Sequence, residues 1–299
     1  MSSIVEPGAS GWDTLRVADP AGVPDGPPDD ILYHHHTRFF ASLRRLWGHR
    51  EIVYTLAERD FKAQYKQATL GVMWALLSPL LTLGVLVVVF SRAKTFGTEG
   101  LPFALFAFVG ILCWSYFAGA LGTGGNALLI NKALLSKTQF PRECFPLGTM
   151  TVTAINTVLS WIPLALLFVI FGRAPKVATL WTPMFMLIEV AFAAGVTLAV
   201  SGLIIQMRDL VQVLPVLISV GLFVEPVVWP LSRLPKHILP IYSFLNPLGP
   251  VIDNVRRTML LGLAPNWGLI GIAALGSLFY LLVGYRLFKR LEVQFADIA

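Results

Sequence analysis

The fold class this sequence predicts is an all-α integral membrane protein with six transmembrane helices, and three observations predict it. Of its 299 residues, 56% are apolar and 13% charged, against about 25% charged in a soluble domain. Mean hydropathy is +0.70. Six apolar stretches approach or exceed the ~20 residues a helix needs to cross a bilayer: Leu70–Phe90, Phe103–Leu121, Leu147–Phe171, Leu180–Ile205, Val211–Trp229 and Gly268–Phe288.

Residues 1–37 read as a disordered tail. Glu6, Asp13, Asp19, Asp25, Asp29 and Asp30 stand against Arg16, among Pro7, Pro20, Pro24, Pro27 and Pro28, a composition with little apolar surface to bury. A basic start followed by an apolar core, the mark of a signal peptide, is not visible. His34–His36 reads as a short polar run rather than a metal ligand set, and no metal site is expected.

Residues 38–67 form a second, interfacial region. Across Arg50–Gln67, Glu58, Arg59, Lys62 and Lys66 share one arc at helical spacing, and Ile52, Val53, Leu56, Ala57 and Phe61 share the opposite half. Asp60 intrudes on the apolar side. This pattern predicts an amphipathic helix lying in the inner membrane interface.

Residues 68–299 make the membrane domain. A short basic, proline-containing loop, 122–146, separates the second and third stretches and carries Lys132, Lys137 and Arg142. After the fifth stretch, residues 230–262 are broken by Pro230, Pro235, Pro240, Pro247 and Pro250. Their apolar pieces are too short to cross. Irregular backbone facing lipid would leave N–H and C=O groups unsatisfied, so re-entrant outer helices packed on protein are expected. Basic residues crowd before the first stretch (Arg38, Arg44, Arg45, Arg50, Arg59, Lys62, Lys66). By the positive-inside rule, both termini are cytosolic and the chain crosses the plasma membrane. The net charge of +6 belongs to these flanks, so the expected partner is anionic lipid, not nucleic acid.

The chain has no phosphate loop: Gly122-Thr123-Gly124-Gly125 lacks the preceding strand and following lysine, and reads as a span end or a close helix approach. No metalloprotease or nucleophile-elbow motif occurs, and Cys113 and Cys144 (the latter placed in the loop) form neither a metal pattern nor a disulfide pair. The chain therefore reads as a transport subunit, not an enzyme, with no cofactor of its own. Energy for uphill transport must come from another chain or an ion gradient. Ionisable residues inside spans are functional candidates by default. Glu189, in the fourth stretch, and Glu225, near the outer end of the fifth, are the two here; pairing or pore lining is the preferred reading over proton coupling. Most tryptophans fall near span ends, as interfacial anchors do. Aromatic faces such as Trp74, Phe223 and Trp229 would alternatively stack on the rings of a sliding sugar polymer.

One segment carries a resemblance. Arg59-Asp60-Phe61-Lys62, Tyr65 and Leu70-Gly71-x-x-Trp74-Ala75-x-x-x-Pro79, followed later by Asn246-Pro247-Leu248-x-Pro250 and Arg256, resemble the membrane subunits of ABC exporters for lipid-linked polysaccharides. These carry O-antigen, teichoic acid, capsule and mycobacterial galactan. The order of elements matches over residues 45–295. The resemblance implies a homodimeric channel bound by two copies of a separate ATPase, which holds the ATP and Mg. It implies a coupling helix around Leu128–Arg142 with Lys132, Lys137 and Arg142, and re-entrant helices capping the channel. The cargo would be a polyprenyl-pyrophosphate glycan, galactan or O-antigen-like. Arg59, Lys62 and Lys66 would meet its pyrophosphate, unless they serve only as inside anchors. Rival readings are an ABC permease for drugs or small lipids, an ion-coupled carrier and a membrane glycosyl- or acyltransferase. Sparse buried charge disfavours the carrier, and the absence of acidic or His clusters at the membrane surface disfavours the transferase.

Overall fold

A computed structural model describes residues 47–66, 69–90, 97–98, 100–135 and 140–292. The acidic tail, the His run and Lys137 lie outside the described residues. No strand occurs among those described. The helices are α1 (Arg50–Tyr65), α2 (Met73–Phe90), α3 (Phe103–Gly119), α4 (Cys144–Leu159), α5 (Trp161–Ile170), α6 (Thr182–Gln206), α7 (Leu210–Val224), α8 (Leu239–Leu245), α9 (Leu248–Met259) and α10 (Trp267–Glu292).

Among the described residues, five helical rods are long and apolar enough to cross a membrane: Met73–Phe90, Phe103–Ile130, Cys144–Ile170, Val177–Gln206 and Trp267–Glu292. The fifth stretch expected from sequence, Val211–Trp229, instead forms the shorter α7. Its 15 residues rise about 22 Å, less than the ~30 Å hydrocarbon core. Pro226 is the reason. It disfavours helical backbone in the residue before it, and Glu225 turns extended at φ −71°, ψ 151°.

Two other stretches depart from their expected form. The glycine run does not end the second span. Backbone hydrogen bonding loosens into a π-turn over Ala120–Gly124, and helix resumes at Ala127–Ile130. The glycines admit neighbours: a Cβ at Gly124 would stand 2.6 Å from the Thr197 methyl. The third stretch breaks at Ser160 into α4 and α5. Cys144 opens α4 and is buried, not part of a loop.

The centre of the bundle is α3, buried from Leu105 through Trp114, as its unbroken apolar sequence requires. Around it, α6 and α10 pack backbone to backbone. A Cβ at Gly284 would collide with the Gly195 carbonyl oxygen, and one at Gly195 with Tyr280 backbone. Small residues permit this approach, which is how helices gain van der Waals contact in lipid. One end of this pair is closed by ions. Lys289 Nζ lies 2.8 Å from the buried Glu143 carboxylate and 2.7 Å from Glu292, and Arg142 donates to the Glu292 carbonyl at 2.9 Å.

The amphipathic helix forms as α1, yet part of its apolar stripe faces protein. Leu56 and Ala57 are buried on α4, where Gly148 leaves room for the Leu56 side chain. Between α7 and α10 the chain is irregular with two short helices, α8 and α9. Val227, Val228, Leu231, Leu248, Val251, Ile252 and Val255 there are buried. This segment packs on α3, α6 and α10, and the Arg256 side chain supplies donors to its Pro226 and Val227 carbonyls.

Candidate functional site

A groove of about 860 Å³ runs between α1, α2, α3 and α4. Arg59, Asp60, Gln64 and Tyr65 come from α1, Trp74, Ala75, Ser78 and Pro79 from α2. Ser115, Gly119, Thr123 and Asn131 belong to the α3 rod, and Thr149, Thr153, Asn156, Thr157 and Ser160 to α4. The α4 contribution is a polar stripe: these positions recur on one helical face and span about 16 Å along the axis.

Local chemistry explains how the walls hold. The turn before α2 requires Gly71 at φ 50°, a left-handed conformation costly for other residues. Pro79 lies inside α2 and has no N–H, so the Ala75 carbonyl loses its helical partner. Ser160 Oγ donates to that carbonyl at 2.9 Å and ties α2 to the α4–α5 break. Helix α1 crosses the groove through Tyr65, which donates to Asn156 Oδ1 at 2.8 Å, and through Arg59, which donates to Asn131 Oδ1 at 2.8 Å. Burial raises the Tyr65 phenol above its ordinary pKa, so it stays a donor at neutral pH. Arg59 also pairs with Asp60 at 2.7 Å. The residue that broke the amphipathic pattern is thus the arginine's counter-ion.

The sequence-expected residues divide. Arg59 and Trp74 line the groove. Lys62 is exposed and pairs with Glu58 on its own helix, which raises its pKa; Lys66 is exposed, and neither lysine lines the groove. Phe223 and Trp229 lie elsewhere. Phe223 faces Phe90 at 6.4 Å between ring centroids, and Trp229 donates to the Phe223 carbonyl at 3.2 Å. Lys132 is in a short helical turn, Lys132–Leu135, next to the groove residue Asn131. Arg142 is anchored to the last turn of α10.

Both acidic candidates are buried. Glu189 is 1% exposed, and neither carboxylate oxygen makes a hydrogen bond among the described residues. The Cys113 thiol is within interaction range. Glu225 accepts from Asn246 Nδ2 at 2.8 and 2.9 Å. Arg256, also buried, donates to the carbonyls of Phe106 (2.9 Å), Pro226 (2.6 Å) and Val227 (2.6 Å), with its guanidinium 3.7 Å from the Phe106 ring centroid. It thereby holds the backbone that follows Glu225 against α3.

Sequence reading missed the α4 stripe. Its signal was present as Thr149-x3-Thr153-x2-Asn156-Thr157-x2-Ser160 within an apolar span, a polar face at helical period.

Relatives share this architecture's length. The chain is 26% identical over 256 residues to the O-antigen export system permease protein RfbA of Myxococcus xanthus, covering 85% of this chain and 98% of that protein. It is 24% identical over 250 residues to RfbA of Klebsiella pneumoniae, covering 83% and 95%. It is 22% identical over 241 residues to the polysialic acid transport protein KpsM of Escherichia coli, covering 78% and 91%. The family model for ABC-2 type transporters matches residues 51–260, a stretch that runs from α1 through α9 and includes every groove-lining residue. With most of its length accounted for in this way, the chain belongs to the ABC-2 type transporter family.

Proposed function

We infer that this chain is the channel-forming permease of an ATP-driven exporter that moves a polysaccharide on a polyprenyl-pyrophosphate carrier out across the plasma membrane. A galactan or O-antigen-like glycan is the preferred cargo. The groove carries the reading: a passage walled by hydroxyls, amides and an indole suits sugar, whose rings combine polar edges with apolar faces. The export-permease and transport-protein names of the relatives support it.

ATP hydrolysis then belongs to a separate nucleotide-binding chain, present in two copies with its Mg. Two copies of the permease form the channel. The outer faces of α2 and α7 favour this: Val85, Val88, Val216 and Phe223 are each more than half exposed, and lipid or a second copy must cover them. Both termini are cytosolic, with α1 along the inner interface. Arg59, Arg142, Lys289 and Arg290 gather at the end so assigned, as the positive-inside rule demands. Arg59 at the groove mouth is the first contact for the pyrophosphate, and Lys62 and Lys66 add cationic field beside it. Residues 128–142 receive the ATPase movement, and the irregular segment 230–262 caps the outer end.

Depletion of this protein, followed by analysis of lipid-linked glycans, tests the reading. Full-length polymer accumulating on its carrier supports it and identifies the cargo. Unchanged wall glycans with no accumulation would transfer the assignment to a drug or small-lipid permease. For the headgroup role, Lys62→Gln with Lys66→Gln is compared with wild type in both membrane insertion and export. Normal insertion with normal export sinks that role for the two lysines.

A further inference from the structure

The groove is electrically neutral, and on its α4 wall the hydroxyl protons are already engaged. Among the described residues its only charged lining groups are Arg59 and Asp60, and they pair with each other. Threonine hydroxyls donate to their own helix: Thr123 to Gly119 (2.7 Å), Thr149 to Pro146 (2.8 Å), Thr153 to Thr149 (3.1 Å) and Thr157 to Thr153 (3.0 Å). Ser160 shares its one proton between the Ala75 and Asn156 carbonyls, both at 2.9 Å, and Tyr65 donates to Asn156 Oδ1. A carbonyl oxygen only accepts, so in the five threonine and serine hydroxyls the proton lies on the side-chain oxygen and points away from a ligand. The Tyr65 proton is engaged in the same way by the Asn156 amide oxygen. What these groups still offer the groove is lone pairs.

We propose that the groove selects an uncharged polyhydroxylated chain, a neutral glycan segment, and excludes polyanionic ones. This rests on the export reading above and narrows its cargo. A neutral sugar supplies O–H donors to match the acceptor wall, and its C–H faces meet Trp74 and Pro79. A carboxylate- or phosphate-bearing repeat brings acceptors only. It would face threonine and serine lone pairs with no unpaired cation inside the groove, and its desolvation would go uncompensated. Selectivity here is the rejection of the wrong charge as much as the fit of the right polyol. A charged carrier headgroup is compatible with this, because it stays at the mouth, where Lys62 and Lys66 are exposed and where it would displace Asp60 from Arg59.

The test uses the permease assembled with its ATPase in proteoliposomes. Two fluorescent probes of equal length are compared: a neutral galactose oligosaccharide and a sialic acid oligosaccharide, each on a polyprenyl pyrophosphate. ATP hydrolysis and transfer across the membrane are both read. The expected result is half-saturation for the neutral probe at least tenfold below that for the acidic one. Thr153→Val with Thr157→Val keeps side-chain shape and removes two acceptors, and should raise neutral half-saturation at least about fivefold. Assembly with the ATPase, read by elution volume, verifies folding. Thr151→Val is the matched control: its hydroxyl also bonds its own helix, to Leu147 at 2.8 Å, but lies off the groove, so the neutral response should not move. An equal or better response to the acidic probe overturns the proposal and leaves the export reading standing. So does an unchanged neutral response in the double valine variant. If neither probe stimulates hydrolysis or crosses, the export reading falls and this proposal falls with it.

Discussion

Ser160→Ala is the sharpest probe of how α2 is held. The substitution removes one hydroxyl and little volume, at a site 6% exposed. Its consequence is specific because Pro79 has already taken away the helical donor to the Ala75 carbonyl. Without Ser160 Oγ, that carbonyl has no partner in the Pro79 turn. An orphaned acceptor costs about 1–3 kcal/mol where fully buried and less at Ala75, which is half-buried and lines the groove, and measured side-chain hydrogen bonds between membrane helices average about 0.6 with a maximum near 1.7 kcal/mol. The expected loss is therefore about 1–2 kcal/mol. Equilibrium unfolding in mixed micelles measures it, and a thermal shift of about 2–8 °C should accompany it. The decisive arm is a double-mutant cycle with Pro79→Ala. Alanine at 79 restores an N–H to Ala75, so Ser160→Ala in that background should cost about 0.5 kcal/mol or less. Equal cost in both backgrounds, or no cost in the wild type, would refute the argument that the serine replaces the missing backbone donor.

Other outcomes follow from the same contacts. Gly284→Ala forces a methyl into the Gly195 carbonyl and should destabilise by about 1–3 kcal/mol or more. Gly271→Ala, on the same helix with nothing within 4 Å, should be neutral or gain up to about 1 kcal/mol of helix propensity, both read by unfolding. Lys289→Met alone leaves the buried Glu143 carboxylate without its cation and should cost about 3–5 kcal/mol, whereas Glu143→Leu with Lys289→Met together should cost less. Arg256→Lys cannot reach three carbonyls from a fixed planar fork, and should lower stability by about 2 kcal/mol or more while exposing the segment after Glu225 to faster hydrogen exchange.

Much of the fold was legible because lipid leaves few choices. A long apolar run has to be helix, since only helix satisfies its backbone from within, and five of the expected stretches are helical rods of spanning length. The boundaries were less legible wherever proline and glycine acted through neighbours. Pro226 ends α7 early. The glycine run reads locally as a stop, yet its π-turn continues because Thr197, Val200 and Leu214 pack where side chains would have been. Apolar periodicity in α1 showed that one face is buried, but not that part of it would meet Gly148 on α4. That depends on a helix almost a hundred residues away in the chain.

The site was legible in its motif and illegible in its partner wall, for one physical reason. Arg59, Asp60, Tyr65, Trp74 and Pro79 lie close in sequence and surface in the same groove, so a local pattern was enough to mark them. The facing stripe on α4 is assembled by threonines, which hide easily in a span. Each hydroxyl bonds the carbonyl one turn earlier and so adds little polarity cost to a membrane helix. That same bond also shapes what the stripe presents to the groove. It fixes the proton inward and leaves oxygen lone pairs facing the groove, so a segment that reads as merely tolerant of lipid becomes a surface that accepts hydrogen bonds from a passing chain. On the proposed reading, the spacing of threonines on α4 would define the wall against which a cargo is read, and the arginine-bearing helix across from it would set where that cargo enters.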